Sequence, residues 1–260
     1  MDAHPEHRTS GNMTDPDRRD ETCGRHGPYL ATRRISGGWS GCPSCDLEER
    51  AGEDARQREF AANYAEFNRR ARRARSCIGP RFLTCSFDEF ATPAAAHVKA
   101  LEAARRFADA IVEGRAGALW LLGPPGVGKT MLASCIALAV IDQTPDLEAR
   151  VLSASAIVRR IRNTWDRSAE VTEAAAIADL VDAAVLCVDE VGVGASTESA
   201  AATLFDVIDA RYARRAPIVL TSNLTAEEIR AAVGDRTYDR LRDGARVMVI
   251  PGPSFRGRAA

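Results

Sequence analysis

The chain has 260 residues, 45% of them hydrophobic and 27% charged, with a formal net charge of −1. That length and composition accommodate one full domain with a sizeable core plus a smaller one, and the charge excludes a global field for nucleic acid, so any such contact must come from a local patch. Seven cysteines, odd in number and unevenly spread, do not make a secreted disulfide framework, and there is neither a signal-peptide core nor an apolar run long enough for a bilayer; we expect a cytoplasmic protein without membrane contact.

Residues 1–20 are polar, charged and interrupted by Pro5, Gly11 and Pro16, so they read as a disordered tail. Residues 21–76 read as a zinc-binding module with a basic helix after it. Cys23-x-x-His26 and Cys42-x-x-Cys45 are separated by fifteen residues of Gly-rich connector, the spacing of two knuckles around a tetrahedral Cys₃His zinc site. Gly24, Gly27 and Gly41 ease the turns. Four ligands leave no open position for chemistry, and a metal lets so short a segment fold without a core. A redox Cys42–Cys45 pair and unrelated free thiols are the competing readings.

Residues 46–76 contain no proline and are dense in Ala, Arg and Glu after Gly52, which favours helix. Arg69, Arg70, Arg72, Arg73 and Arg75 near its end either meet phosphates of single-stranded DNA or an acidic partner, or form a solvated helix end favoured by the dipole. Tyr64 and Phe67 either stack on bases or pack. The remaining cysteines, Cys77, Cys85, Cys135 and Cys187, sit among apolar neighbours as small hydrophobes.

The third region is residues 77–260. Gly79-Pro80 ends the basic helix, and the aromatic segment 81–91 packs on the domain after it. Thr92 is placed to cap a helix starting at Pro93 and stopped by Gly114. Strands are expected at 118–122, 150–152, 185–188 and 218–221, with helices at 131–142, 154–165, 174–182 and 203–212. This alternation implies an α/β fold: a parallel sheet sandwiched by helices. Arg159, Arg160 and Arg162, with Trp165, form a second candidate DNA patch.

Gly123, Pro124, Pro125, Gly126, Val127, Gly128, Lys129 and Thr130 match G-x-x-x-x-G-K-[ST] between an expected strand and an expected helix. The glycines let backbone N–H groups turn toward phosphate oxygens, and the helix adds its positive end. Lys129 reaches the β- and γ-phosphates of ATP, and the Thr130 hydroxyl is a Mg²⁺ ligand. Asp189, at the end of the strand Val185-Leu186-Cys187-Val188, is placed to hold Mg²⁺. Glu190 is the candidate general base for the attacking water. Asn223, after a third apolar strand, is placed to orient that water or touch the γ-phosphate.

Together, Gly-Pro-Pro-Gly-Val-Gly-Lys-Thr, Val-Asp-Glu and Thr-Ser-Asn resemble the Walker A, Walker B and sensor 1 series of AAA+ ATPases. Ile208-Asp209-Ala210-Arg211-Tyr212, Val233-Gly234-Asp235-Arg236-Thr237-Tyr238-Asp239-Arg240-Leu241 and Gly252-Pro253-Ser254-Phe255-Arg256 resemble the DnaC/IstB branch, the bacterial and phage helicase loaders. So do Gly79-Pro80-Arg81-Phe82 and Ser86-Phe87-Asp88-Glu89-Phe90 ahead of the domain. The resemblance implies an AAA+ P-loop domain with an abbreviated lid, since 37 positions come after Asn223. It implies Arg236 as an arginine finger reaching a neighbouring subunit's γ-phosphate, with Arg240 and Arg242 as rivals, and Arg256 as a sensor 2 arginine on its own nucleotide. Phage-type loaders carry a zinc module of this kind. The implied function is an ATP-hydrolysing loader that binds a DnaB-type replicative helicase and single-stranded DNA and self-associates through the ATP site. The alternatives are an IstB-like transposition helper acting on duplex DNA, and an ATP-switched DNA-binding protein with negligible turnover.

Overall fold

The computed structural model describes residues 16–166, 168–192 and 197–256, and the chain divides into two compact units between Tyr64 and Ala65. In the first unit, β1 (Arg18–Cys23) and β2 (Gly27–Thr32) form an antiparallel hairpin in which Arg18 faces Thr32 and Cys23 faces Gly27. An isolated bridge from Arg33 to Trp39 extends it, with the Arg19 guanidinium 4.4 Å from the centre of the Trp39 ring. Helix α1 (Pro43–Arg75) then starts on a proline, a residue suited to the first helical position. Among the described residues of this unit, Ala31 and Cys42 are the buried ones. Two small side chains do not make a hydrophobic core.

Strand β1 corrects part of the expected tail. Residues 1–15 lie outside the described residues, but Arg18–Asp20 pair with Leu30–Thr32. Backbone ladder bonds hold them, and their polar side chains carry no sign of it.

The second unit opens with the last turns of α1, so it begins earlier than residue 77. Arg72 is buried, and its Nη1 donates to the carbonyls of Thr144 (2.5 Å) and Leu147 (3.0 Å). Arg73 grips Asp142 at 3.1 and 2.5 Å, and Arg75 reaches Glu148 at 2.5 Å. Arg69 and Arg70 both pair with Glu66. The basic run therefore fastens the helix end to the unit and binds its own acids.

Next come α2 (Ala95–Val112), β3 (Ala118–Leu122), α3 (Lys129–Gln143), β4 (Ala149–Ser153), α4 (Ala154–Arg162), α5 (Glu173–Asp182) and β5 (Val185–Asp189). After them stand α6 (Glu198–Ala213), β6 (Ile218–Ser222), α7 (Ala226–Val233), α8 (Asp235–Arg242) and β7 (Ala245–Val249). Helix α2 starts two residues later than expected: Ala94 is its N-cap and no side chain caps it, so neither Thr92 nor Pro93 belongs to its first turn. Ser153, Thr172, Thr197 and Thr225 do cap α4, α5, α6 and α7 through hydroxyls that accept from backbone N–H groups.

The five strands run parallel in the order β4-β5-β6-β3-β7. Successive residues of a strand point to opposite faces, and both faces are covered. On β3, Leu119 and Leu121 join a core with Ile136 and Val140 of α3, while Trp120 and Leu122 join a second with Ile157 of α4 and Leu204 and Ile208 of α6. This order sets the carboxyl ends of β5, β6 and β3 side by side, where open α/β sheets bind ligands.

Arg211 on α6 is fully buried, and among the described residues its guanidinium hydrogen-bonds to carbonyls and forms no ion pair. Its Nη1 donates to the carbonyls of Leu180 (2.8 Å), Val181 (3.1 Å) and Ala183 (2.9 Å), and its Nη2 to that of Pro217 (2.5 Å). These include carbonyls that the end of α5 leaves without helical partners. Burial lowers the guanidinium pKa to about 10, which still leaves it charged at neutral pH. Arg211→Met leaves those acceptors unpaired and is expected to cost about 4 kcal/mol, a fall in Tm on the order of 10 °C. Thermal unfolding checks this; a variant as stable as the parent contradicts the assignment.

Candidate functional site

The chain leaves β3 at Leu122 and turns at Gly123, whose φ is 146°. A Cβ there would lie 2.1 Å from the Ile250 carbonyl oxygen, so only glycine fits. Gly128, at φ 93°, precedes α3 in the left-handed region and presses on Phe90, whose ring would sit 2.6 Å from an added Cβ. Val127 is buried between them. The loop curls over the first turn of α3, where unpaired N–H groups and the helix dipole favour an anion.

Lys129 begins α3 and folds back, its Nζ donating to the carbonyls of Gly123 (2.7 Å) and Pro124 (2.8 Å). Burial lowers the Lys129 pKa, Asp189 opposes that, and the positive charge of Arg256 adds to it. Arg256 is therefore within electrostatic reach of the loop lysine. Thr130 Oγ1 lies 3.0 Å from both carboxylate oxygens of Asp189 at the end of β5. Glu190 comes next, with its side chain exposed and its backbone at φ 55°. Asn223 is exposed just beyond β6, the strand between β5 and β3. Pro124 and Pro125 form the exposed outer bend of the loop.

Thr221 opens the Thr-Ser-Asn triplet, of which the sequence assigns a role to Asn223 alone. It is buried at the end of β6, donates its hydroxyl to Asp189 and accepts the Glu190 N–H at 3.2 Å. A threonine two positions before a more conspicuous asparagine gives no signal by itself.

The segment after β7 runs along the phosphate loop. Ile250 N–H donates to the Leu122 carbonyl (2.7 Å), and Phe255 N–H to the Gly126 carbonyl (3.0 Å). The Phe255 ring packs edge-on against His97, which faces Phe90 in turn. This seats Arg256 by backbone contacts.

The three arginines of α8 differ in their commitments. Arg240 donates to Asp209 (2.8 Å) and lies 4.9 Å from the centre of the Tyr212 ring. Arg242 donates to the Tyr238 hydroxyl (3.1 Å). Arg236, in the first turn, is exposed and has no partner among the described residues.

In the second basic patch, Arg160 is bound to Asp179 (2.8 Å) and Arg162 to Ser199 (3.2 Å). Arg159 is exposed and lines a cleft of about 480 Å³ with Asn163 and Thr164. The Trp165 indole donates to Glu173 (3.1 Å).

In the first unit, the hairpin and the start of α1 bring Cys23, His26, Cys42 and Cys45 together. His26 Nδ1 lies 3.7, 3.6 and 3.3 Å from the sulfurs of Cys23, Cys42 and Cys45, and the Cys23 and Cys45 sulfurs are 3.5 Å apart. All four donor atoms fall within 4.8 Å of one another. A tetrahedral zinc with bonds of about 2.0–2.3 Å implies ligand separations of roughly 3.3–3.8 Å; these four separations meet that, so three thiols and an imidazole are gathered as such a metal needs. Backbone N–H groups of Arg25 and His26 lower the Cys23 thiol pKa to about 6, favouring the thiolate that binds metal. Glu48, another residue without a sequence signal, accepts from His26 Nε2 at 2.9 Å and so turns Nδ1 toward the sulfurs.

A parallel sheet in this order, a P-loop between β3 and α3, and an Asp-Glu pair at the end of β5 define the chain as an AAA+ ATPase. It belongs to the family of IstB-like ATP binding proteins, whose profile matches residues 89–260. The replicative helicase loader DnaC of Escherichia coli K12 is 26% identical over 176 residues, 68% of this chain and 70% of that protein. The ATP-binding protein of insertion sequence IS5376 of Geobacillus stearothermophilus is 33% identical over 142 residues, 53% of this chain and 54% of that protein. The crystal structure of the DnaC helicase loader shares the fold at 18% identity with a TM-score of 0.59, covering 66% of this chain and 99% of that one. No helix among the described residues is long and apolar enough to cross a membrane.

Proposed function

We propose that this ATPase is a DnaC-type replicative helicase loader. The observation that carries the reading is its relationship to DnaC loaders across 70% of their length, against 54% for the insertion-sequence protein. The zinc-type cluster and α1 hold the helicase, of DnaB type, and the P-loop unit times that grip with ATP. Single-stranded DNA is bound beside Arg159, whose guanidinium is uncommitted among the described residues and borders a cleft with Asn163 and Thr164.

At the nucleotide site, Lys129 exchanges the carbonyls of Gly123 and Pro124 for β- and γ-phosphate oxygens. Thr130 and Asp189 hold Mg²⁺, in keeping with their hard oxygen donors and their contact. When bound, magnesium neutralises charge on the β- and γ-phosphates. Glu190 takes a proton from the water whose oxygen attacks the γ-phosphorus, and ADP and phosphate leave. Asn223 orients that water. Arg236 completes a neighbouring subunit's site, which its exposure permits, and Arg256 senses the nucleotide of its own. Cys23, His26, Cys42 and Cys45 hold a structural zinc.

The test is co-purification with the cognate replicative helicase, with and without ATP. An ATP-dependent complex that takes up single-stranded DNA is expected. Absence of any complex sinks the loader reading, and ATP-dependent binding to duplex DNA together with a transposase establishes the transposition helper in its place.

A further inference from the structure

We infer that Thr221 is a positioning residue for hydrolysis, through its hold on the backbone that aims Glu190. The inference rests on Glu190 being the base. Glu190 sits at φ 55°, a left-handed conformation that is unfavourable for a non-glycine residue and persists only where neighbours enforce it.

Those neighbours come from the end of β6. Glu190 N–H donates to Thr221 Oγ1 at 3.2 Å, and the same hydroxyl donates its own proton to Asp189. The next residue is held by backbone: Val191 N–H donates to the Thr221 carbonyl at 3.0 Å, and Ser222 Oγ donates to the Val191 carbonyl at 2.7 Å. The turn after β5 is thus clamped onto the last two residues of β6. Of these contacts, the Thr221 hydroxyl is the one that touches both acids of the site at once.

That hydroxyl is buried, so water does not replace it when it is removed. Its loss leaves the Glu190 N–H without a partner and frees φ to relax, which swings the carboxylate away from the water it must deprotonate. The Val191 clamp survives, because it uses the backbone carbonyl. Asp189 loses one donor but keeps Thr130, so the larger effect is on catalysis and the smaller on the nucleotide cradle of Gly123 to Thr130.

Thr221→Val keeps the branched shape that suits a strand and deletes the hydroxyl. Misplacing a reacting group by about 1 Å costs roughly 10²-fold, so turnover is expected to fall about 30- to 100-fold, with ATP affinity changed less than about threefold. Thr221→Ser is expected to restore turnover to within about threefold of the parent. Should the valine variant fold poorly, Thr221→Ala against Thr221→Ser isolates the hydroxyl in the same way. Valine and alanine variants at full turnover overturn the inference, as does a loss that serine fails to rescue or one matched by equal loss of ATP affinity. Glu190→Gln, measured in parallel, separates the two ideas. If it retains turnover, the base assignment fails; if it is inactive while Thr221→Val is fully active, only the Thr221 inference fails.

Discussion

Replacing Glu190 with Gln is expected to lower ATP turnover on the order of 10³-fold and to leave ATP binding intact if Glu190 is the base proposed above, because a general base contributes about 10²–10⁴ and glutamine cannot accept a proton. The side chain is exposed just after β5, and the hydrogen bonds of Lys129 and Thr130 go to Gly123, Pro124 and Asp189. The variant should therefore accumulate in its ATP-bound form. Phosphate release and binding of a fluorescent ATP analogue measure the two properties separately. Turnover within tenfold of the parent removes Glu190 from the chemistry and favours an ATP switch with another role. The same variant tests where the arginine finger comes from. Glu190→Gln keeps Arg236, while Arg236→Ala keeps Glu190; if the finger acts between subunits, each alone is inactive and a mixture recovers turnover. A mixture as inactive as its parts places Arg236 outside the site. Arg240 and Arg242 are poorer fingers, since Asp209 and the Tyr238 hydroxyl already hold them.

The parallel sheet and the phosphate site are legible in the sequence because both write themselves into local patterns. Leu119–Leu122 and Val185–Val188 are unbroken apolar runs, as strands buried on both faces must be, and each ends in residues with special chemistry. Strand β7 is not legible, because Ala245–Val249 lies at the sheet edge with half-exposed side chains, and its register comes from β3. The hairpin β1–β2 is hidden for a related reason: its polar residues are paired by backbone ladder bonds, which leave no mark in composition. Long-range partners hide the rest. Arg72 meets carbonyls more than seventy positions away, and Arg211 meets those of another helix. A run of arginines looks alike in sequence whether it binds DNA or closes helix ends. Thr221 and Asn223 belong to one triplet, and only the turn after β5 shows which of them touches Asp189.

Removing zinc is expected to unfold the first unit and to spare the second. Between residues 16 and 64 only Ala31 and Cys42 are buried among the described residues, so burial of apolar surface cannot offset the entropy of ordering the hairpin. Structural zinc supplies on the order of 10 kcal/mol in small modules. The second unit has two cores of its own on either face of its sheet. A strong chelator, or Cys42→Ser, should therefore expose the hairpin to proteolysis while ATP turnover and the main thermal transition persist. Metal analysis should find one zinc per chain in the parent. Glu48→Ala should bind zinc about 10- to 100-fold more weakly, because it frees the ring that Glu48 now orients. A parent free of zinc with Cys42 and Cys45 joined in a disulfide establishes the redox reading instead. Retention of the hairpin after chelation contradicts both the metal's structural role and the absence of any other source of stability. If the helicase grip lies in this unit, the chelated protein also loses the helicase while still hydrolysing ATP, which separates the timing of the molecule from its grip.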